Sequence, residues 1–203
     1  MRRSSSASSP VDPAVFAYVR NNVAGALEVM LGRPEGLLKL DVSLEGFWRS
    51  FGAFVLILPF AILALISQDR LASLTAEARG SRDLGVEIGI LALDWLAFPL
   101  VFAMIARPLG VSAGYVTFIV TRNWASVVIG AVMACVHALF LLGVLPDRLA
   151  TLLLFAFIAV ALRFSYVITR LTLAAPLRLA MPIVIFDFLL SLTIWSLLDR
   201  GQG

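Results

Sequence analysis

Residues 124–168 read WASVVIGAVMACVHALFLLGVLPDRLATLLLFAFIAVALRFSYVI: two apolar runs, Trp124–Leu145 and Leu149–Ile168, either side of Pro146-Asp147-Arg148. Each run holds about 20 residues, the number a helix rising 1.5 Å per residue needs to cross a hydrocarbon core about 30 Å thick. The three-residue break predicts a tight turn and two antiparallel neighbours. Working outward, Phe47–Ser67, Val86–Ala106 and Leu179–Leu198 have the same length and character. The predicted fold class is therefore all-α, a polytopic bundle of five transmembrane spans preceded by an amphipathic interfacial helix. A content of 61% hydrophobic and 14% charged residues, with a mean hydropathy of +0.97, lies outside the range of soluble domains.

The five spans consume about half of the 203 residues, which leaves room for one membrane domain. Residues 1–12 read as a disordered tail, 13–46 as a cytoplasmic amphipathic or interfacial segment, and 47–203 as the five-helix domain. After Met1-Arg2-Arg3 the chain continues mostly in serine rather than in an apolar stretch, so a signal peptide is not expected. The net charge of +3 does not indicate nucleic acid, because the basic residues sit at the ends of the apolar runs, as orientation signals do. Cys135 is the one cysteine and lies inside the third run, which excludes a disulfide framework and a thiolate metal site.

Orientation follows from the basic residues. With the N-terminus inside, Arg2, Arg3, Arg20, Arg33, Lys39, Arg49, Arg107, Arg122, Arg163, Arg170 and Arg178 fall on the inner side, and Arg70, Arg79, Arg82, Arg148 and Arg200 on the outer. That asymmetry predicts a cytoplasmic N-terminus and an extra-cytoplasmic C-terminus.

Asp12-Pro13 is a helix start, with Asp as N-cap and Pro at the first helical position. Val15, Phe16, Val19, Val23, Leu27, Met30 and Leu31 then recur at helical spacing until Gly32 and Pro34, which predicts a helix lying on the inner membrane surface or against the bundle. Pro59 is expected to kink the first span. The polar stretch Gln68–Gly85 suggests a short helix on the far surface. Val111–Val120 is apolar but too short to cross. It reads either as an interfacial helix or as the start of a longer third span with Arg122 at depth. The first is preferred, because an unpaired arginine at depth costs a few kcal/mol or more. Trp48, Trp124 and Trp195 fall near span ends, as belt residues do, while Trp95 lies mid-span and is expected to pack inside.

Signatures of catalysis are absent: there is no Gly-rich phosphate loop, Gly-x-Ser-x-Gly elbow or His-Glu-x-x-His pattern, and one histidine is too few for a metal centre. Leu93-Asp94-Trp95 and Phe186-Asp187-Phe188 do not resemble the two motifs of an intramembrane aspartyl protease. What remains is a set of ionisable groups at membrane depth: Asp94, His137, Arg163, Asp187 and, nearer the outer surface, Glu87. Each should turn inward and find a partner. Counted at about 1.5 Å per residue from the inner end of each span, Asp94 falls level with His137, and Asp187 with Arg163. These two pairs are the expectation, read as internal contacts that fix helix register in preference to a proton or substrate pathway. Ser126, Gly130, Ala134 and Ala138, at intervals of four, form a small-residue stripe expected to be a helix-packing face rather than a dimer seam.

The run Leu31-Gly32-Arg33-Pro34-Glu35-Gly36-Leu37-Leu38, followed by Gly46-Phe47-Trp48-Arg49-Ser50-Phe51 entering the first span, is similar to how bacterial members of the Yip1 family begin. The layout also resembles that family: a cytoplasmic N-terminal segment, five spans and a C-terminus on the far side. The Asp-Leu-Tyr-Gly-Pro run of its eukaryotic trafficking members is missing, so a trafficking role does not follow. The resemblance implies topology and a non-enzymatic character, and it assigns no catalytic residue. The expected function is accordingly a non-enzymatic organiser or accessory subunit in the bacterial cytoplasmic (inner) membrane. It would have no cofactor, no metal and no nucleic-acid partner, and would contact the lipid bilayer and either a membrane-protein partner or a second copy of itself. The alternative is a small proton- or cation-coupled transporter using Asp94 and Asp187.

Overall fold

The computed structural model of the chain describes residues 12–74 and 83–200. Residues 1–11 of the expected tail, and 75–82 of the stretch in which a far-surface helix is expected, lie outside the described residues; residues 68–74 of that stretch continue α3. The order of elements is α1 (Pro13–Met30), a 3-10 turn (Pro34–Lys39), α2 (Leu44–Ser50), α3 (Ala53–Leu74), α4 (Leu84–Ile105), α5 (Tyr115–Leu141), α6 (Asp147–Thr172) and α7 (Leu177–Arg200), with no strand among the described residues. Five units are long and apolar enough to cross a membrane: Leu44–Ser73, Leu84–Ile105, Ser112–Leu141, Asp147–Thr172 and Leu177–Leu197.

The Asp12 carboxylate accepts a hydrogen bond from the Ala14 N–H at 2.9 Å, and Pro13 occupies the first helical position of α1. The helix ends at Gly32, whose φ of +83° lets the Arg33 N–H turn back to the Glu28 carbonyl at 2.9 Å. The 3-10 turn then folds onto α1 at two facing glycines. A Cβ on Gly36 would sit 2.5 Å from the Gly25 carbonyl oxygen, and one on Gly25 would sit 2.7 Å from that of Gly36. Only glycine fits either place. Asn22, buried on α1, donates to the Tyr18 carbonyl at 2.9 Å and accepts from the Asp41 N–H at 3.0 Å, which anchors the chain as it leaves the turn.

The face that α1 buries takes in only part of the expected apolar stripe: Met30 is buried, and Val19 and Val23 pack against the core. Asn22, Gly25, Ala26, Val29 and Met30 are buried, whereas Val15, Phe16, Leu27 and Leu31 are exposed. Gly25 admits the 3-10 turn close to the α1 backbone, and α1 also packs on α5 and α6.

The first long unit is α2 and α3 joined by a break at Phe51–Gly52, and α3 runs uninterrupted through Pro59 to Leu74. The expected interfacial helix over Val111–Val120 is corrected by the structure. A single 3-10 turn, Ser112–Gly114, leads directly into α5, so Arg122 and Trp124 lie well inside a 30-residue unit. The assumption that failed was that Arg122 has no partner.

α5 is the centre of the bundle, packing most extensively on α3 and also on α6, α1 and α2, while α4 and α6 both pack on α7. Phe98 stacks on Phe102 at 5.3 Å, and both meet Phe118 edge-on, so rings from α4 and α5 form one aromatic core. Trp124 joins that core at 2% exposure instead of marking a boundary; Trp95 is buried, as its mid-span position suggested.

Gly36→Ala is expected to lower the melting temperature in detergent, because the added methyl meets a backbone oxygen; overpacking of this kind costs about 1–3 kcal/mol. Gly89→Ala, where a Cβ meets nothing within 4 Å on helix α4, should be neutral or raise it. Equal responses in a thermal-shift assay would contradict the close approach.

Candidate functional site: a polar cluster inside the bundle

Arg122, the eighth residue of α5, reaches across to α7. Its Nη2 lies 2.9 Å from Asp187 Oδ1 and its Nε 3.3 Å from Oδ2, a two-point ion pair in which each side chain retains about a fifth of its surface (20% and 22%). The guanidinium carbon stands 4.8 Å above the Phe98 ring, so the cation is held between a carboxylate and an aromatic face. Beside the pair is a void of about 20 Å³ lined by Phe118, Ser165, Ile168, Thr169, Ile183 and Val184. That is room for about one water. The Thr169 hydroxyl is turned away to the Ser165 carbonyl at 2.7 Å.

Asp94, half-buried on α4, lies beside Ser191 and Trp195 of α7, within electrostatic range of both Arg122 and Asp187. The cluster thus holds two carboxylates around one guanidinium. With both acids ionised it carries one net negative charge.

The expected pairs are not the ones that form. Asp187 meets Arg122, 65 positions away, and not Arg163; Arg163 is exposed on α6 with its guanidinium carbon 5.7 Å from the Phe164 ring. Among the described residues no ion pair joins Asp94 to His137. His137, 3% exposed, instead has its Nδ1 2.9 Å from Ser67 Oγ on α3. For Asp94 and His137 the counted depths were wrong: Asp94 interacts with Arg122, and His137 lies 15 residues, about 22 Å, further along α5. Azimuth, on which residue counting is silent, further limits who meets whom.

Three residues outside the expected set matter here: Arg122, Asn123 and Ser50. Fully buried Asn123 donates its Nδ2 hydrogen to Ser50 Oγ on α2 at 3.0 Å. Asn123, Gly130 and His137 recur every seven residues and therefore share one face of α5, the face toward α2 and α3. That spacing was a signal available in the sequence. Along the overlapping stripe, a Cβ on Gly130 would lie 3.1 Å from Phe60 Cδ2 of α3, and Ala134 is buried; the Ser126 hydroxyl donates to the Arg122 carbonyl at 2.9 Å, and Ala138 is half-buried.

Chemically, the cluster can hold or exchange a proton or a small cation. No group of three metal-ligating side chains occurs among the described residues, and the lone cysteine, Cys135, is exposed away from the cluster on α5. No family model matches the chain, and neither a curated protein nor a solved structure matches it.

Asp187→Leu is expected to destabilise the bundle by on the order of 3 kcal/mol, toward the lower end for a broken buried pair because both side chains keep some exposure. The double change Asp187→Leu/Arg122→Met should recover most of that loss, since no cation is then stranded. Detergent melting of the two variants measures this; a double variant weaker than the single would mean the ion pair is not the stabilising contact. On the α3-facing stripe, Gly130→Leu should lower the melting temperature while Val132→Leu, on an exposed face, should not.

Proposed function

We propose that this chain is a non-enzymatic integral membrane protein of Yip1-like layout, an organiser or accessory subunit of a complex in the bacterial cytoplasmic membrane. Its N-terminus is cytoplasmic and its C-terminus extra-cytoplasmic. The observation that carries this reading is the second face of α1. With one face closed on the 3-10 turn, α5 and α6, the helix still offers Phe16, Leu27 and Leu31 outward, at exposures of 64%, 40% and 51%. Leu38 and Leu44 on the following segment are also exposed. A helix with one face docked and another apolar face free is suited to lie in the membrane interface and to meet a partner there. The internal acids favour the same reading: Asp187 is engaged by Arg122, beside a void with room for about one water.

Site-specific photo-crosslinking in cells tests it. A crosslinker at Phe16 or Leu27 should give a discrete protein adduct, and one at buried Val29 should not. Lipid adducts alone at both exposed positions would remove the partner. Reporter fusions should read cytoplasmic after Arg170 and extra-cytoplasmic at Gly203; the opposite readings would reverse the orientation.

A second reading is a small proton- or cation-coupled carrier, and Asp94 is the observation favouring it. It shares one guanidinium with Asp187, and its own neighbours on α7 are neutral. Purified protein in liposomes should then pass protons in a manner abolished by Asp94→Asn; flux equal to that of empty liposomes would exclude the carrier.

A further inference from the structure

At the break between α2 and α3 a groove lies against α1. It has a volume of about 600 Å³ and is lined by Val15 and Val19 of α1, Val55 and Leu56 of α3, Gly52 of the break and Trp124 of α5, with Asp12, Tyr18 and Arg49 among its polar residues. That volume is within the range of small-molecule sites. The Arg49 guanidinium carbon stands 5.5 Å over the Tyr18 ring. Arg49 also pairs with Glu45 at 2.5 Å, but both side chains are more than half exposed, and a pair of that kind contributes little and leaves the cation available. The floor is different. Trp124 is 2% exposed, and among the described residues neither its indole N–H nor the Tyr18 hydroxyl has a hydrogen-bond partner. Burial pushes the Tyr18 phenol above its ordinary range, with the Asp41 charge adding to the shift, so it is a neutral donor at physiological pH. Both polar atoms lie behind the groove wall, so the accessible polar group is the Arg49 guanidinium, flanked by Glu45 and by Asp12, which already accepts from the Ala14 N–H. Its other walls are aliphatic.

We propose that this groove binds one anionic phospholipid of the bilayer, its phosphate on Arg49 and one acyl chain along Val15, Val19, Val55 and Leu56. The place suits the ligand: Trp48 and Arg49 stand near the beginning of the first membrane-length unit, where aromatic and cationic side chains meet headgroups. The inference concerns a lipid site on the membrane protein proposed above, and it holds whether or not a protein partner covers the outer face of α1.

The test is native mass spectrometry of the full chain in mild detergent, titrated with phosphatidylglycerol and, separately, phosphatidylcholine. Wild-type protein should retain phosphatidylglycerol preferentially. Arg49→Gln should weaken that binding about tenfold, the effect of losing one charge-assisted hydrogen bond. Val19→Trp, which fills the groove, should abolish retention of both lipids, and Leu56→Trp on the opposite wall should do the same if the first variant does not fold. Arg163→Gln, on exposed α6 far along the chain from the groove, should bind as wild type does. The proposal is overturned if Arg49→Gln binds phosphatidylglycerol as tightly as wild type, or if Arg163→Gln loses as much, since that would be general attraction to a basic protein. It is also overturned if wild type shows no preference for the anionic lipid, as when a peptide segment fills the groove.

Discussion

The rest of the structure depends on how α5 places its polar side chains in an apolar bundle. A guanidinium or a buried amide surrounded by hydrocarbon is costly alone, and each one on α5 is aimed at a different helix: Arg122 at Asp187 of α7, Asn123 at Ser50 of α2, His137 at Ser67 of α3. Dispersion between aliphatic side chains changes little when one helix slides a residue past another. A two-point ion pair at 2.9 and 3.3 Å does not tolerate such a slide. These three contacts therefore fix the height and rotation of the central helix against three neighbours at once, while the aromatic core around Phe98, Phe102 and Phe118 fills the space between.

The junction between α2 and α3 is tied to α5 by the same kind of contact. Ser50 is fully buried because its hydroxyl both donates to the Phe47 carbonyl at 2.7 Å and accepts from Asn123. Between α2, held there against α5, and α3 the α-helical ladder gives way at Phe51–Gly52 to i→i−3 hydrogen bonds, and Gly52 lines the groove beside α1.

Much of this architecture was legible in the residues. Five membrane-length units, a short connection between the third and fourth and the Asp12-Pro13 helix start all depend on local composition and spacing. That connection is Leu142–Pro146, turning at Gly143, with Asp147 and Arg148 already in α6. The beginning of α5 was misread because the cost of Arg122 was assessed without its partner, which lies 65 residues later on a helix that only folding brings near. The buried face of α1 was misread in part, for a related reason. Counting large apolar residues selects Phe16 and Leu27, whereas packing selects Gly25, whose value is the proximity it permits. In the polar cluster, both acids were identified from sequence, and the cation between them was assigned to the wrong helix.

Exposure needs a different reading in such a chain. The leucines and phenylalanines along α6, among them Leu152 and Phe155 at 65% and 67% exposure, would mark an interface on a soluble protein, but on a helix long and apolar enough to cross a membrane acyl chains would solvate them at no cost. They carry no information about partners. The informative exposed side chains are those a bilayer solvates poorly or holds at one depth. Arg163 is one: it has no acid within ion-pair distance among the described residues, and it sits nine residues before the end of α6, about 14 Å along the helix. Its long stem lets the charge rise toward the headgroups, with Tyr166 and Arg170 on the same face marking the way. In a bilayer such a residue would limit how deep α6 could sit, and because α6 packs on α7, which carries Asp187, the same limit would pass to the polar cluster.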